Sequence, residues 1–288
     1  MSKTGGRYTV DASYRSIGVA IIGCGAIGSY VAKALDSSLL DGLKLKILYD
    51  KDIEKARKLV DSLKHKPKIA LDISEILEGD VELVVEAASQ EAVREYGLPI
   101  IEAGKNLMIM SVGALADLEL YERLREAASR RKVEVLIPSG AIAGLDAVKA
   151  AGISGISSVT LTSRKPPRVF IDNPYVKSKG LNLTDLEEPL VLYEGPAVEA
   201  CKLFPSSINV AATLSLASIG PEKVKVKIIA DPRISGNVHE VVVEGEFGRL
   251  CCVTENKPTP ENPKTSFLAS LSALATLKKI AENVHIGT

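Results

Sequence analysis

The chain has 288 residues, of which 46% are hydrophobic and 25% charged, and its 36 basic side chains are balanced by 36 acidic ones. This balance argues against the basic surface by which proteins bind nucleic acid, and the composition argues against a disordered or collagen-like chain. The length accommodates two domains of ordinary size.

Neither a targeting segment nor a metal-binding motif stands out. Residues 1–15 form a polar N-terminal extension without a signal-peptide core, and no apolar run is long enough to span a membrane. We therefore expect a cytoplasmic protein that binds neither nucleic acid nor membranes. The cysteines lack metal-ligand spacing, so we predict no metal site and reduced, mostly buried thiols at Cys24, Cys201, Cys251 and Cys252.

A glycine-rich turn lies between the apolar run 16–22 and the helical pattern 29–35. In a dinucleotide-binding fold, the first glycine makes the turn, the second lets the backbone approach a pyrophosphate and the third lets the helix pack on the sheet. The phosphates then lie at the helix N-terminus. The alternative is a turn that binds nothing. The predicted cofactor-binding residues here are Gly23, Gly25, Ala26, Ile27 and Gly28.

A second apolar run, 43–49, ends at Asp50. An acid about 20 residues after the glycine motif accepts hydrogen bonds from a ribose 2′-hydroxyl. Because a 2′-phosphate would be repelled by Asp50, the sequence favours NAD, while Lys51 keeps NADP as the second choice.

Residues 16–140 alternate short apolar runs with helical patterns, which predicts a doubly wound parallel sheet of the Rossmann type. The predicted strands are 16–22, 43–49, 69–71, 81–88, 106–112 and 133–137. Helices are predicted at 52–63, 90–103 and 118–131, the second interrupted near Gly97 and Pro99 because both residues disfavour helix interiors.

Residues 141–265 change character and predict an α+β domain with a mostly antiparallel sheet. Its predicted strands are 159–163, 224–230, 238–244 and 248–254, and its small apolar helices are 197–203 and 208–217. A last helix, 266–281 within the segment 266–288, is expected to pack back on the first domain.

The loop 138–144 follows the last parallel strand, at the edge where open α/β sheets bind ligands. Its small residues, including Ser139, permit backbone contact with the nicotinamide end of a cofactor or with substrate, and an interdomain hinge is the alternative. Further on, Arg164, Lys165 and Arg168 form a basic loop that suits a dicarboxylate substrate, unless it is merely solvated.

Two polar residues of the second domain are candidates for chemistry. Asn209 begins a helix, where it either contacts a ligand or caps the helix. His239 lies inside a predicted strand, on the same face as Asn237, which is a candidate substrate-binding residue. A neutral imidazole suits the proton transfer that accompanies hydride transfer, and the alternative is a buried histidine bonded to backbone.

The chain resembles L-aspartate dehydrogenases in the glycine motif, in SGAIAGLD at 139–146, FPSSINVAA at 204–212, NVHEVVVEGEFG at 237–248 and NPKTS at 262–266. The resemblance implies an N-terminal Rossmann domain and an α/β domain that supplies the active site and dimer contacts. It also implies that His239 is the catalytic histidine and that Ala143 and Asn209 contact NAD.

The implied reaction is oxidation of L-aspartate to iminoaspartate with NAD or NADP, with oxaloacetate and ammonia formed by hydrolysis, or with the imine feeding NAD biosynthesis. Aspartate would be the small-molecule partner of a homodimer. Two alternatives stay open: another two-domain dehydrogenase, of the homoserine dehydrogenase or dihydrodipicolinate reductase type, and an NAD-binding sensor without catalysis.

Overall fold

The computed structural model describes residues 16–37, 39–205, 208–259 and 265–287, and the N-terminal extension 1–15 lies outside them. Up to residue 136, strands and helices alternate along the chain. They are β1 Ile17–Ile22, α1 Ala26–Asp36, β2 Leu43–Tyr49, α2 Ile53–Ser62, β3 Lys68–Ile69, α3 Ser74–Leu77, β4 Leu83–Glu86, α4 Gln90–Glu102, β5 Asn106–Ile109, a 3₁₀ helix Val112–Ala116, α5 Leu118–Arg131 and β6 Val135–Leu136.

These six strands form one parallel sheet in the order β3-β2-β1-β4-β5-β6. Apart from half-buried Ile17, the apolar residues of β1 and β4 are buried, as expected for central strands with helices on both faces. The chain order reverses between β1 and β4, and ligands of such sheets bind beyond the carboxyl ends of the strands at this point. The predicted α/β fold with a Rossmann-type sheet is confirmed.

The predicted interruption of α4 is wrong, because the helix runs through Gly97 and Pro99 without a break. Pro99 removes a backbone donor, which disfavours a helix interior by about 3 kcal/mol. Burial of Ile100 and Ile101 opposes this cost. A Cβ on Gly97 would lie 3.3 Å from the Leu124 side chain, so the glycine permits close packing of α4 on α5.

The remaining elements build a second sheet and its helices. They are α6 Leu145–Ser154, β7 Ile156–Lys165, a 3₁₀ turn Pro167–Val169, α7 Pro174–Ser178, β8 Leu190–Pro196, α8 Ala197–Leu203, α9 Asn209–Leu216, β9 Lys225–Ala230, β10 Asn237–Gly245, β11 Gly248–Asn256 and α10 Phe267–Ala281. The strand order is β11-β10-β7-β9-β8. Only β7 and β9 pair in parallel within this described sheet, so it is mixed but mostly antiparallel. Neither α6 nor β8 was among the predicted elements.

The last helix, α10, packs against the first sheet. Phe267 contacts Tyr30 of α1 edge to face, with ring centroids 5.3 Å apart. Ala273 and Leu277 are fully buried in the same apolar cluster as Val19 and Ile21 of β1. The last helix thus lies on the same half of the molecule as the first strand.

The cysteines differ from the prediction of mostly buried thiols. Cys24 and Cys201 are buried, whereas Cys251 is exposed and Cys252 half-buried because they point to opposite faces of the edge strand β11. Burial raises the pKa of Cys24 and of Cys201 to about 12, so both thiols stay protonated at neutral pH. Among the described residues there is no cluster of metal-ligating side chains, and none of the helices has the length and apolar character of a membrane span.

Candidate active site

We call the part of the molecule up to residue 141, with the parallel sheet, the first half, and the part built around the second sheet the second half. A cavity of about 130 Å³ lies between these two halves, at the carboxyl edge of the parallel sheet. The first half contributes Ile27, Met110, Val112, Pro138, Gly140 and Ala141. The second half and α10 contribute Lys165, Asn209, Val210, Thr213, Asn237, His239, Thr265, Ser266 and Ala269. Apolar and small residues thus surround a small number of polar side chains, as in many small-molecule sites.

His239 lies on the inward face of β10 and is almost completely buried. It pairs with Ser163 of β7 and with Thr254 of β11. Burial, and secondly the charge of Lys165, lower the pKa of His239 to about 3, so the imidazole is neutral at physiological pH. Within the described part of the chain its Nδ1 atom has no hydrogen-bond partner, which differs from a structural histidine held through that atom.

Lys165 is the one member of the predicted basic loop that reaches this cavity. The prediction of a loop is wrong for Lys165 and Arg164, because both belong to β7. Successive strand residues point to opposite faces, so the two side chains diverge. Arg164 faces outward and pairs with Asp231 at 3.8 Å, and the Arg168 guanidinium donates to the Ser235 carbonyl at 2.6 Å. Lys165 is 5% exposed, and burial lowers its pKa to about 8.

Two asparagines complete the polar lining. Asn237 is buried, and its Nδ2 donates to Ser266 Oγ at 2.8 Å. Asn209 does not cap α9, because Ile208 occupies the capping position. The Asn209 Oδ1 instead accepts a hydrogen bond of 3.0 Å from the Gly113 N–H, which belongs to the first half.

The loop 138–144 reaches the cavity with its first part only. Gly140 and Ala141 both line the cavity, and Gly140 has a φ of 68°. The Ala141 carbonyl accepts a 2.8 Å hydrogen bond from Thr254 Oγ1. Ser139 is half-buried, and Ala143 is exposed. Neither Ser139 nor Ala143 is among the residues that line the cavity described above.

The glycine motif has the close contacts that its spacing predicts. Gly23 has φ of 97°, and a Cβ there would lie 2.6 Å from the Ala87 carbonyl oxygen. A Cβ on Gly28 would collide with the Gly23 carbonyl, whereas Gly25 faces open space and precedes the first residue of α1, Ala26. The turn therefore leaves room for a ligand at Gly25 and at the N-terminus of α1.

Asp50 fastens this turn to the end of β2. Its Oδ2 accepts a hydrogen bond of 2.7 Å from the Cys24 N–H, and its Oδ1 accepts one of 2.9 Å from the Asp52 N–H. Both Asp50 and Lys51 line a second cavity of about 220 Å³ beside the glycine motif. The Lys51 ammonium pairs with Glu95 at 3.0 Å, and this carboxylate offsets its positive charge.

Glu86, which the sequence analysis did not single out, organises the carboxyl ends of β4 and β5. Its buried carboxylate accepts hydrogen bonds from the N–H groups of Ala88, Ser89 and Ser111 at 2.8–3.0 Å, and from the Ser111 hydroxyl at 2.8 Å. Burial raises the pKa of Glu86, and these donors act in the opposite direction. The sequence signal that could have identified Glu86 is an acidic residue at the end of an otherwise apolar run.

The two halves meet along a seam formed by α4, the 3₁₀ helix and α9. Gln90 Nε2 donates to the Pro205 carbonyl at 3.0 Å, next to the bond between Gly113 and Asn209. A Cβ on Gly113 would collide with the Gln90 amide and lie 2.9 Å from Asn209 Oδ1. A side chain at this position would displace the Gln90 and Asn209 amides from the hydrogen bonds that join the two halves.

Comparisons with known proteins cover nearly the whole chain. The family model described as "Aspartate dehydrogenase, C-terminal" matches residues 146–280, and "Homoserine dehydrogenase, NAD binding domain" matches residues 23–138. The chain is 48% identical to an L-aspartate dehydrogenase of Methanosarcina barkeri and 47% identical to that of Methanothermobacter thermautotrophicus. Each match spans 94% of this chain and at least 98% of the relative.

Solved structures agree with these matches. A crystal structure of aspartate dehydrogenase from Thermotoga maritima superposes with a TM-score of 0.73 at 33% identity, covering 94% of this chain and 99% of that one. A homoserine dehydrogenase from Thiobacillus denitrificans, with a TM-score of 0.58 at 16% identity, covers 92% of this chain and 73% of that one. At that identity the second likeness concerns the fold alone.

Proposed function

Because the chain belongs to the L-aspartate dehydrogenase family, we propose that it oxidises L-aspartate to iminoaspartate with a nicotinamide cofactor and catalyses the reverse reductive amination of oxaloacetate. One observation carries this proposal: a neutral, buried His239 and a buried Lys165 line the same cavity at the carboxyl edge of the parallel sheet. This pair supplies a proton acceptor and a cation for an anionic amino acid.

His239 is the proposed catalytic residue. When the hydride leaves Cα of aspartate, the amine must also lose a proton, and a neutral imidazole accepts one. Burial and Lys165 hold the pKa of His239 far below its ordinary value, so the ring is in its accepting form before substrate binds. Substrate carboxylates bring negative charge into the cavity and will raise this pKa, which favours transfer to the ring.

Lys165 and Asn237 are the proposed substrate-binding residues. The Lys165 ammonium can donate to a carboxylate, and a charge-assisted hydrogen bond is stronger in a buried site than in water. Asn237 lines the same wall. Ser139 and Arg164, also predicted as substrate-binding residues, do not line this cavity, so the proposal does not depend on them.

The proposed cofactor site extends from the glycine motif to this cavity. The open space at Gly25 and the α1 N-terminus fit a pyrophosphate, with Ala26 and Ile27 beginning the helix behind it. Asp50 would accept from the ribose hydroxyls, which favours NAD over NADP. Asn209 would contact the nicotinamide end, and the cofactor would there accept the hydride from the substrate.

We also propose a homodimer formed through the outward face of the five-stranded sheet. Thr160, Val242 and Cys251 form one row across β7, β10 and β11, and Val253 in the next row is 55% exposed. Light scattering should give the mass of a dimer. Val253→Glu should then favour the monomer, and Val191→Glu on the far edge strand should not. A monomeric parent protein would refute this part of the proposal.

The proposed activity is tested by following NADH absorbance with oxaloacetate, with and without ammonium, in a preparation free of malate dehydrogenase. Oxidation that depends on ammonium is the expected result. Oxidation without ammonium would indicate a keto-acid reductase instead. No oxidation in either case would refute the proposal and direct attention to homoserine and related substrates, or to a binding role without catalysis. If the imine leaves before hydrolysis, it would be available for NAD biosynthesis.

A further inference from the structure

A buried serine pairs with His239 across two neighbouring strands, just behind the wall of the candidate active site. Ser163 is fully buried on the inward face of β7 and pairs directly with His239 across the antiparallel ladder between β7 and β10. Among the described residues, neither the Ser163 Oγ atom nor the His239 Nδ1 atom has a hydrogen-bond partner. A buried polar atom left in this state costs about 1–3 kcal/mol.

The register of the two strands brings these atoms within reach of each other. Directly opposed residues of antiparallel strands have Cβ atoms about 4.5–5.5 Å apart. A serine hydroxyl can rotate about a single side-chain torsion, and one water molecule can bridge any remaining gap. One contact between Ser163 and His239 would therefore satisfy both atoms.

The chemistry of the neighbouring groups makes Ser163 the suitable acceptor. If the Nε2 atom of His239 is to accept a proton from substrate, the Nδ1 atom must carry the ring hydrogen and needs an acceptor. The Lys165 ammonium can only donate. Asn237 donates through Nδ2 to Ser266 Oγ, and its Oδ1 makes no hydrogen bond to the His239 Nδ1 atom. A hydroxyl at Ser163 has lone pairs available for this role.

We propose that Ser163 is a positioning residue: its hydroxyl accepts a hydrogen bond from the Nδ1–H of His239, directly or through one water, and keeps the Nε2 lone pair available for substrate. This inference rests on the proposed function for its catalytic consequence, but the tautomer it assigns to His239 can be measured without turnover. No acidic residue takes this position, so the ring is oriented without being made strongly basic.

Ser163→Ala should leave the Nδ1–H without an acceptor and move His239 toward the tautomer that carries its hydrogen on Nε2. We expect kcat to fall about five- to tenfold, the equivalent of about one neutral hydrogen bond. The KM for aspartate and the Kd for NAD should change less than about twofold, since Ser163 does not line the cavity in which these ligands are proposed to meet. Ser163→Cys, which keeps a weak acceptor, should recover part of kcat.

The matched control is Ser158→Ala. Ser158 lies on the same strand but on the outward face, where its hydroxyl bonds with the Glu244 carboxylate. The same loss of a hydroxyl there should leave both kcat and the histidine tautomer unchanged. A similar loss of kcat in a Ser158→Ala protein that keeps the wild-type mass in light scattering would mean that the effect comes from strand stability and would overturn the proposal.

The decisive measurement is the ¹⁵N spectrum of the histidine rings in the full-length protein. Signals of His239 are assigned by their loss in His239→Gln, and exposed His65 and His285 serve as internal references. A wild-type His239 with its hydrogen on Nδ1, shifted toward Nε2 by Ser163→Ala, is the expected result. A wild-type ring already protonated on Nε2 would overturn the proposal even if the variant failed to fold. If the tautomer is as expected but ammonium-dependent turnover is absent, the proposed function fails and the assignment to Ser163 stands.

Discussion

Replacement of Lys165 by methionine should stabilise the protein while it impairs the reaction. Lys165 is almost completely buried, and burial lowers its pKa from 10.5 to about 8. That difference corresponds to about 3 kcal/mol of unfavourable free energy for keeping the charged ammonium in the folded state. Methionine has a similar volume without the charge, so Lys165→Met should raise the free energy of unfolding at pH 7 by up to this amount.

The sign of the pH dependence follows from the same pKa. Below pH 8 the lysine is protonated in both states, and the folded protein bears the whole penalty. Between about pH 8 and 10.5 the unfolded chain holds more protons than the folded one, so the wild type gains stability as the pH rises. The variant lacks this gain, and the advantage of Lys165→Met should disappear by about pH 10.5.

Urea denaturation of both proteins at pH 7 and pH 10 measures the difference. Lys227→Met serves as a control, because Lys227 is a half-exposed lysine on β9 paired with Glu194 and should change stability by less than about 1 kcal/mol. Loss of the cation should also lower kcat/KM for aspartate at least about 30-fold. A variant that is less stable than the wild type at pH 7, or that keeps its kcat/KM, would refute the reasoning.

Four further substitutions test other parts of the structure. His239→Gln should lower kcat about 100-fold or more and leave the Kd for NAD, measured by calorimetry, nearly unchanged; full turnover would remove His239 from the mechanism. Asp50→Ala should raise the ratio of NADP to NAD efficiency, and an unchanged ratio would mean that Asp50 does not discriminate. Gly113→Ala should destabilise the protein by about 1–3 kcal/mol in urea because its Cβ collides with the Gln90 amide, and wild-type stability would contradict the seam as described. Glu86→Gln should destabilise by about 1–3 kcal/mol because an amide turns donors toward backbone N–H groups, whereas no loss would show that the native carboxyl is protonated.

The parallel sheet could be predicted because its signals are local. Each central strand is a short apolar run that ends at a glycine or a polar residue, and each following helix has its own amphipathic pattern. The elements that were predicted wrongly or missed, such as α4 and β8, depend on tertiary packing. Pro99 opposes a helix locally, and the packing of α4 on its neighbours outweighs that preference. The strand β8 lacks a clean alternation, because Val191 is exposed while Leu192 and Tyr193 are both buried.

Residues of the candidate site could be predicted where strand alternation alone decides on which face of the sheet a side chain lies. Period two placed His239 and Asn237 on one face, and both line the cavity. The same rule separates Lys165 from Arg164, but only if both are recognised as strand residues. Ser163 and Glu86 could not be found in this way, because their significance comes from a partner strand or from loops that the sequence does not connect.

The hydrogen bonds between Gln90 and Pro205, and between Gly113 and Asn209, make the two halves dependent on each other during unfolding. A dinucleotide bound to the first half would stabilise every segment that must open with it, by an amount that grows with the logarithm of its concentration above the Kd. Amide hydrogens in α9 and β10 should therefore exchange more slowly when NAD is added, although neither element carries the glycine motif. By the same coupling, heating should give one calorimetric transition, whose midpoint rises with cofactor concentration.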